Sequence, residues 1–464
     1  MTGYEALMFF SRGSAWSYLA FVILVVYAAV AAGWGLSADA DSALLWSAAG
    51  NWAEHGEYVR SRTSGFPFYE ALLALLIKFD GNVWLANVLS TLWAGVALWA
   101  AGHVVGVARA GIARMVLVLW PIFLIASAEP METMQALALG LLLVRKVLDR
   151  PRLCGTHAVL AVLLVLTRLD AAILVIAVAS VAVWRGHLGA CRGMTWLAVC
   201  GLASLIIYAT LNSGFQFLRT DVLGLDAPLR RLIRAAAGFW NALPLVAWPL
   251  LSGVVLKARG QDLSVRESHL AGLLVIALPL YALRFMALPD EIFYLAIPVC
   301  LILLLGVSCW PSSSTGLFLI IGLWQCFGAV SWFERLPGVE DRLIASPKLG
   351  PGPLWQEYEV RRAFLALRDP VQRKALSCKL FQDCPSLTLS HTGPALVTRD
   401  GRAIVSARYR YMFSSVRYPD FSGQPWRLTV CRQEIVPSTP GWRVLQPGLG
   451  FSVTENDLRN CVVE

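Results

Sequence analysis

The stretch WSYLAFVILVVYAAVAAGW, residues 16–34, decides the class of fold because it contains no charged side chain. Its length matches the roughly 20 apolar residues that cross the hydrocarbon core of a bilayer as a helix. No convincing small-residue cleavage site precedes the charged loop that follows, so we interpret the stretch as a retained span and not as a signal peptide. Apolar stretches of similar length, separated by charged or Pro/Gly-rich segments, recur as far as Trp332.

The composition agrees with this interpretation. The 464 residues are 57% hydrophobic and 15% charged, and the mean hydropathy is +0.61, which a single water-soluble core would not hide. From Phe333 onward the charge rises, apolar runs shorten to strand length, and turn pairs such as Asp400-Gly401 appear. We therefore predict a mainly α polytopic membrane domain of about eleven transmembrane helices over residues 1–335, and an α/β or β-rich soluble domain over residues 336–464.

Basic residues indicate how the chain is oriented. They recur in alternate predicted loops that contain few acids, and the positive-inside rule assigns such loops to the cytoplasm. The N-terminus is then cytoplasmic, and eleven spans leave the C-terminal domain extracytoplasmic, in a bacterial inner membrane. The basic residues concerned are Arg12, Arg109, Arg114, Arg145, Lys146, Arg150, Arg152, Arg185, Arg192, Lys257, Arg259 and Arg266.

Cysteine usage gives an independent indication of the compartment. Cys378, Cys384, Cys431 and Cys461 lie in the predicted soluble domain, and an even number of cysteines outside the cytoplasm is typical of disulfides. Four unpaired buried thiols are the alternative. A zinc site is disfavoured because the spacing of the first two cysteines does not suit a zinc knuckle. The sequence does not indicate which cysteines pair.

Two acids mark the first predicted outer loop, residues 35–67. Asp39 and Asp41 follow the first span directly, and the apolar residues after Asp41 recur at helical spacing until Gly56. We predict a short amphipathic helix along the membrane surface with Asp41 directed toward a lipid-side cavity. In the alternative interpretation Asp41 is only the N-cap of that helix. The apolar residues on its face are Leu45, Ala48, Ala49 and Trp52.

The continuation of this loop gives the sequence a specific resemblance. After Gly56 a basic segment with Arg60 and Arg62 leads to the aromatic and proline step Phe66-Pro67. An acid, a surface helix ending in glycine, a basic segment and this step together resemble the first outer loop of the GT-C superfamily. The branch concerned contains protein O-mannosyltransferases, lipid A aminoarabinose transferases and related polyprenyl-phosphate-dependent enzymes. Further segments similar to that family are Ser127-Ala128-Glu129-Pro130, Thr167-Arg168-Leu169-Asp170 and Arg284-Phe285-Met286-Ala287-Leu288-Pro289 with Tyr294 and Pro298.

The resemblance implies transfer of a sugar from a polyprenyl-phosphate carrier to an extracytoplasmic hydroxyl acceptor on a glycan, a glycolipid or a protein. Asp41 is then the general base, with Asp39 as the alternative carboxylate. Glu129 orients the acceptor or shares a cation; otherwise it is an exposed acid near a helix N-terminus.

Arginine suits the phosphate of the carrier through its permanent charge and bidentate hydrogen bonding. The candidates are Arg284, Arg168 and Arg62. The alternative for Arg168 and Arg284 is snorkelling of their side chains to lipid headgroups.

Other functions stay open on the sequence alone. A multi-span lipid or solute transporter or flippase has the same hydropathy, and Arg168 with Asp170 would suit a substrate pathway, although the two halves show no inverted repeat. A non-catalytic assembly protein that displays the C-terminal domain is a third possibility. No nucleotide-binding loop and no nucleic-acid motif is present. The six histidines form no evident metal triad, and no cofactor is indicated apart from the possibility of a divalent cation held by acids.

Overall fold

The fold is known from a computed structural model, in which the chain is mainly helical. The described residues are 15–32, 40–61, 65–149, 153–186, 188–212, 247–260, 262–287, 292–310, 315–335, 343–351, 354, 387–389, 395–398, 404–409, 426–430 and 433–435.

Fourteen helices are numbered here in chain order within these residues. They are α1 Ala15–Ala32, α2 Ala40–His55, α3 Pro67–Lys78, α4 Val83–Val105, α5 Ala110–Val118, α6 Pro121–Ser127, α7 Thr133–Asp149, α8 Gly155–Thr167, α9 Ala172–Trp184, α10 Ala190–Leu211, α11 Ala247–Gly260, α12 Val265–Ala287, α13 Ala296–Cys309 and α14 Thr315–Phe327. Single 3-10 turns precede α5, α9 and α13, at Val107–Arg109, Leu169–Ala171 and Ile292–Leu295.

Four of the described helices, α1, α4, α10 and α12, are long and apolar enough to cross a membrane. Helices α5 and α6 together qualify as a fifth, with a bend of 77° between them. Many of the large apolar side chains on these helices face outward, such as Val25, Leu92 and Val275, as expected where lipid is the surroundings. The predicted membrane class is thus supported, and the count of eleven spans stays a prediction.

The bend between α5 and α6 lies at Leu119 and Trp120, before Pro121. Proline has no backbone N–H, so the helical hydrogen bonding is interrupted there. The carbonyl of Leu119 accepts two hydrogen bonds from α14 instead. The Gln325 amide donates to it at 2.9 Å, and the Cys326 thiol donates to it at 3.3 Å. Gly322 lets the two helices come close, since an added Cβ would lie 2.9 Å from the Leu119 side chain.

Contacts between helix termini define two ends of the bundle. At one end Arg114 of α5 donates to the Ser17 hydroxyl of α1 at 2.7 Å, and Arg109 donates to the Val307 carbonyl at 2.6 Å. We call this the basic end; it also holds Arg145, Arg185, Lys257 and Arg266.

At the opposite end Asn87 of α4 donates to the carbonyl of Ala32, where α1 terminates, at 3.1 Å. Thr91 of α4 likewise donates to the carbonyl of Ser127, where α6 terminates, at 2.9 Å. We call this the acidic end, because the links between helices there carry Glu129, Glu132 and Asp170. The helices therefore run alternately from one end to the other.

Helices α2 and α3 both belong to the acidic end. The predicted face of α2 is confirmed in part, since Leu45, Ala48 and Ala49 are buried, and the helix ends beside Gly56, which has a φ of 73°. Helix α3 lies antiparallel to α4, with the Tyr69 hydroxyl 3.2 Å from the Ser90 hydroxyl. The connection between α1 and α4 therefore includes α3 as well as the predicted loop 35–67.

Strands follow α14 without a break. Strand β1, Gly328–Arg335, pairs antiparallel with β2, Leu343–Pro351, and the whole of β1 lies inside the range 1–335 predicted for the membrane domain. A five-stranded antiparallel sheet then has the order β3 Leu387–Leu389, β4 Ala395–Thr398, β5 Ile404–Tyr409, β6 Trp426–Val430 and β7 Gln433–Ile435. The predicted boundary at residue 336 stays a prediction, and Cys378, Cys384, Cys431 and Cys461 lie outside the described residues.

Candidate functional site

Four buried carboxylates lie at the acidic end. Glu70 of α3 is fully buried, Glu129 and Glu132 in the link from α6 to α7 are 1% and 2% exposed, and the side chain of Asp170 is 6% exposed. Burying a carboxylate is costly unless cations and hydrogen bonds compensate it. Ionisable residues held within a membrane bundle are functional hypotheses by default. The acidic end is therefore the candidate site.

Arg168 is the cation at the centre of this cluster. It interrupts the path from α8 to α9 with an extended backbone, and the following 3-10 turn brings Asp170 back toward it. The guanidinium binds Asp170 through two atoms, at 3.0 Å from Nε to Oδ1 and 3.1 Å from Nη2 to Oδ2. Such a forked pair fixes the geometry of both side chains.

Arg168 also joins two other links of the bundle. Its Nη1 lies 3.7 Å from Oε1 of Glu132, which precedes α7, and donates to the carbonyl of Phe293 before α13 at 3.3 Å. Three breaks between helices therefore meet at one guanidinium. Its positive charge is offset within the chain, so its predicted role at the donor phosphate is not tested by these contacts and stays a prediction.

Tyr294 connects Arg168 with a second arginine. The Cζ of Arg168 lies 4.6 Å from the centroid of the Tyr294 ring, and the Cζ of Arg284, near the end of α12, lies 4.7 Å from the same centroid. Cations within about 6 Å of an aromatic face are attracted to it. Within the described part of the chain Arg284 forms no ion pair with an acid, and its side chain is only half-buried. Arg284 is therefore positioned by Tyr294 and carries a charge that the described acids do not neutralise.

Two buried tyrosines place the four acids in one electrostatic cluster. The hydroxyl of Tyr208, which donates to the Val165 carbonyl at 3.1 Å, interacts electrostatically with Glu70, Glu132 and Asp170. The hydroxyl of Tyr69 interacts in the same way with Glu129 and Glu132. Because the interior of a membrane bundle screens charge weakly, these interactions join the four acids into one cluster.

Buried polar groups without a hydrogen-bond partner among the described residues lie at the start of α7, directly after Glu132, and on α12. The amide of Gln135 and the hydroxyl of Thr133 are buried, and neither has a hydrogen-bond partner among the described residues; the same holds for the Tyr281 hydroxyl on α12. Buried polar groups are usually satisfied by protein, ordered water or a ligand. The start of α7 is therefore suited to polar rather than hydrocarbon surroundings.

The structure describes some of the predicted site residues and not others. Glu129 is buried, which rules out the alternative of an exposed acid. Asp41 is the second residue of α2, and the alternative that Asp41 is the N-cap stays open, because the residues before Ala40 lie outside the described part of the chain. The side chain of Asp41 and the residues Asp39 and Arg62 lie outside the described part of the chain.

Glu70 and Glu132 are members of the cluster that the sequence interpretation missed. Glu132 follows Glu129 by three residues across Pro130, and this second acid before a long apolar helix was the available signal. Glu70 lies one turn into a helix that begins with Pro67, where an acid usually serves the helix terminus alone. Its further contacts with Tyr58 and Ser61 form because the chain before α3 folds back onto this helix, which the local sequence does not show.

A metal site of ordinary composition is not formed by the described residues. Among them no group of three or more His, Cys, Asp or Glu side chains is arranged to hold a metal ion. Glu132 and Asp170 are instead paired with Arg168, and Glu70 accepts hydrogen bonds from the Tyr58 hydroxyl and two backbone amides. The divalent cation that the sequence left open stays a prediction, because Asp39 and the side chain of Asp41 lie outside the described residues.

Comparisons with known proteins leave the family undetermined. No protein-family model matches the sequence, and no curated protein and no solved structure matches it either. The described fold and site therefore define the class only coarsely: a mainly helical membrane protein with a buried cluster of carboxylates and arginines at one end of its bundle. The resemblance to the GT-C superfamily is supported by the quoted motifs alone.

Proposed function

We propose that the protein is a GT-C-type glycosyltransferase that moves a sugar from a polyprenyl-phosphate carrier to an extracytoplasmic hydroxyl acceptor. The observation that carries the proposal is the position of Arg284. It lies against Tyr294, beside a buried carboxylate cluster and at the same end of the bundle as the surface helix that bears Asp41. A phosphate-binding cation and candidate acids at one membrane boundary are what such a transfer requires.

The distribution of charge supports an extracytoplasmic site. Most of the described basic residues in links between helices lie at the basic end, which the positive-inside rule assigns to the cytoplasm of a bacterial inner membrane. The acidic end then faces outward. If each of the other described helices crosses the membrane, with α5 and α6 counted as one and α2 and α3 left at the surface, eleven traverses would bring the C-terminal domain to the outside as well.

The donor would be bound through its phosphate. A guanidinium is permanently charged and matches phosphate oxygens as a fork, and Arg284 has no described acid to neutralise it. Arg168 would support the site through the Tyr294 ring, which both arginines contact. Arg62 is a further candidate for binding the phosphate. The polyprenyl chain is apolar and would lie between helices, in contact with membrane lipid.

The reaction needs a base for the acceptor. As the acceptor oxygen attacks the anomeric carbon, its proton passes to a carboxylate, and the bond from that carbon to the phosphate oxygen breaks, so that polyprenyl phosphate leaves. We assign the base to Asp41, with Asp39 as the alternative. Glu129 would orient the acceptor hydroxyl or share a cation with the leaving phosphate.

Transfer by purified protein in nanodiscs tests this proposal, with polyprenyl-phosphate sugar and the corresponding nucleotide sugar compared as donors. We expect turnover with the lipid donor only. Arg284→Ala should nearly eliminate donor binding, and Arg284→Lys should weaken it markedly because lysine keeps the charge but loses the fork. Asp41→Asn should lower kcat by about 100-fold or more, as for loss of a general base, while Asp39→Asn has a milder effect.

Three results would contradict this assignment. Turnover with the nucleotide sugar alone excludes the lipid donor. Lipid-donor turnover that is indifferent to Arg284 excludes the phosphate site. Full activity of both Asp41→Asn and Asp39→Asn excludes the base. Arg259, at the basic end and away from this site, provides the control substitution Arg259→Ala, for which we expect ordinary donor binding.

The bent pair α5 and α6 is the observation that favours a lipid or solute transporter instead. Interrupted helices line the substrate sites of many transporters. Here the carbonyl at the break is already satisfied by Gln325, which favours a structural bend. Movement of a polyprenyl-linked substrate across proteoliposomes without any sugar transfer would support the transporter function over the transferase.

A further inference from the structure

The carboxylate of Glu70 fastens the chain segment that joins α2 to α3. Its Oε2 accepts hydrogen bonds from the Tyr58 hydroxyl at 2.5 Å and from the Phe66 amide at 2.9 Å. Its Oε1 accepts from the Ser61 amide at 3.0 Å. The three donors lie on both sides of residues 62–64, so one buried carboxylate holds both arms of the segment. Hydrogen bonds to an ionised acceptor are about twice as strong as neutral ones.

Close packing supports the same connection. The Tyr58 ring packs edge-on against Trp52 of α2, with 4.8 Å between ring centroids. Gly65 has a φ of 67°, and a Cβ there would collide with the Tyr58 hydroxyl, so glycine is required for the turn and for the contact. Burial and the Glu70 carboxylate raise the pKa of Tyr58, which keeps its hydroxyl protonated as a donor.

We infer that Glu70 is a positioning residue for the proposed transfer: through Tyr58 and Trp52 it fixes helix α2, and with it the candidate base Asp41, against the rest of the acidic end. The inference rests on the proposed function. Helix α2 carries Asp41 and packs its buried face, with Leu45 and Ala49, on the bundle, and residues 57–66 join its C-terminal end to α3. Fastening this segment to α3 limits how far α2 moves.

A helix cap alone does not account for these contacts. Capping of α3 requires only the hydrogen bond from the Phe66 amide to Glu70, in the manner of an acid that reaches back to the residue before the helix. The Tyr58 hydroxyl and the Ser61 amide are outside α3 and contribute nothing to its termination. Tyr58→Phe therefore separates the two roles, because it removes the fastening to α2 and leaves the cap and the ring packing with Trp52 intact.

Hydrogen exchange tests the structural half of the inference. In Glu70→Gln one acceptor oxygen becomes a donor, and we expect the amides of residues 57–66 to exchange about 10-fold faster than in the wild type, from the loss of charged hydrogen bonds. Tyr58→Phe should show a smaller increase. The matched control is Asn82→Ala, which removes the N-cap of the adjacent α4, where the Asn82 side chain accepts from the Leu85 amide at 3.1 Å. Its exchange at residues 57–66 should stay at the wild-type level.

Steady-state kinetics with the polyprenyl-phosphate donor tests the functional half. A displaced base lowers kcat, so we expect kcat to fall about 10-fold in Glu70→Gln and in the same direction in Tyr58→Phe, with KM for the donor within about 2-fold. A loss confined to KM would assign Glu70 to donor binding and overturn the inference. So would unchanged exchange in both variants, or faster exchange with unchanged kcat. If neither the wild-type protein nor the control Asn82→Ala shows turnover with the lipid donor, the proposed function itself fails. This outcome is seen without the Glu70 variants, so it is distinct from a failure of the inference about Glu70.

Discussion

The two ends of the helix bundle both pair arginine with a carboxylate, but in different surroundings. At the basic end Arg266 and Asp149 lie 2.8 Å apart with side chains 35% and 40% exposed. At the acidic end Arg168 and Asp170 lie 3.0 Å apart with side chains 4% and 6% exposed. The distances are similar, so distance does not distinguish the two pairs. Burial does, because water can replace either partner of the first pair and neither partner of the second.

This difference in burial determines how much the ion pairs contribute to the free energy of unfolding at each end. Exposed pairs contribute about 0.2–1 kcal/mol, so the basic end gains little folding energy from them and its charge chiefly orients the chain. Removing one partner of a buried pair costs about 3–5 kcal/mol, so the acidic end depends on its pairs for the geometry of the links between helices. Two stability measurements and one labelling experiment test the contrast, in order of decreasing expected effect.

Arg168→Ala should have the largest effect. It leaves Asp170 and Glu132 buried without their cation and should lower the free energy of unfolding by about 3–5 kcal/mol, seen as a large fall in the Tm of the protein in detergent. Adding Asp170→Asn should restore part of the loss, because one uncompensated charge is then removed. A Tm for Arg168→Ala close to that of an exposed-pair variant would contradict the contrast between the two ends.

Cys154 sharpens the contrast by reporting the side of the membrane. It lies exposed at the basic end, just before α8, and hydrogen bonds from Thr156 and then His157 lower the pKa of its thiol to about 6. At pH 6 it should react with a maleimide about 10-fold faster than an unperturbed thiol, after allowance for the weaker nucleophilicity of a low-pKa thiolate. Thr156→Ala should slow the reaction.

The same labelling reports which side of the membrane each end of the bundle faces. A membrane-impermeant maleimide should leave Cys154 unlabelled in intact cells and label it after permeabilisation. Asp80→Cys, at an exposed turn of the acidic end, should be labelled in intact cells in a background from which the native cysteines have been removed. The reverse pattern would place the candidate site in the cytoplasm and contradict the proposed donor.

Arg266→Ala should have the smallest effect. Besides its exposed pair with Asp149, Arg266 donates to the His103 carbonyl at 2.9 Å, so a loss of about 1 kcal/mol or less in the free energy of unfolding is expected. Raising the salt concentration should lower the wild-type stability by a similar small amount and leave the variant little changed. A loss as large as that of Arg168→Ala would show that the basic end also depends on its pairs.

The sequence was informative where local pattern decides the structure. The spacing of Leu45, Ala48 and Ala49 predicted the buried face of α2, and Gly56 predicted its end. The segment with Arg168 and Asp170 was identified from the sequence, but the further partners of Arg168, Glu132 and Phe293, are distant in sequence and required the fold.

Two other features depend on long-range contacts in the same way. From the local sequence Glu70 would be only a helix cap. Its other partners, Tyr58 and Ser61, are seen only in the structure, where this segment folds back onto α3. The bend before Pro121 is stabilised from α14, which no pattern around the proline indicates. The proposed base was identified from a motif, and its side chain lies outside the described residues, so that assignment is still a prediction.

The hydrogen bond from Gln325 to Leu119 has a consequence for biosynthesis. The two residues are 206 positions apart, so at about 5–20 residues per second the ribosome completes the donor roughly 10–40 s after the acceptor. Throughout that interval the bent helix has to satisfy its carbonyl with water, with lipid headgroups or with the insertion machinery. Synthesis of α14 therefore supplies the hydrogen bond that the bend between α5 and α6 lacks until then, and a chain truncated before residue 325 would leave the Leu119 carbonyl without this donor.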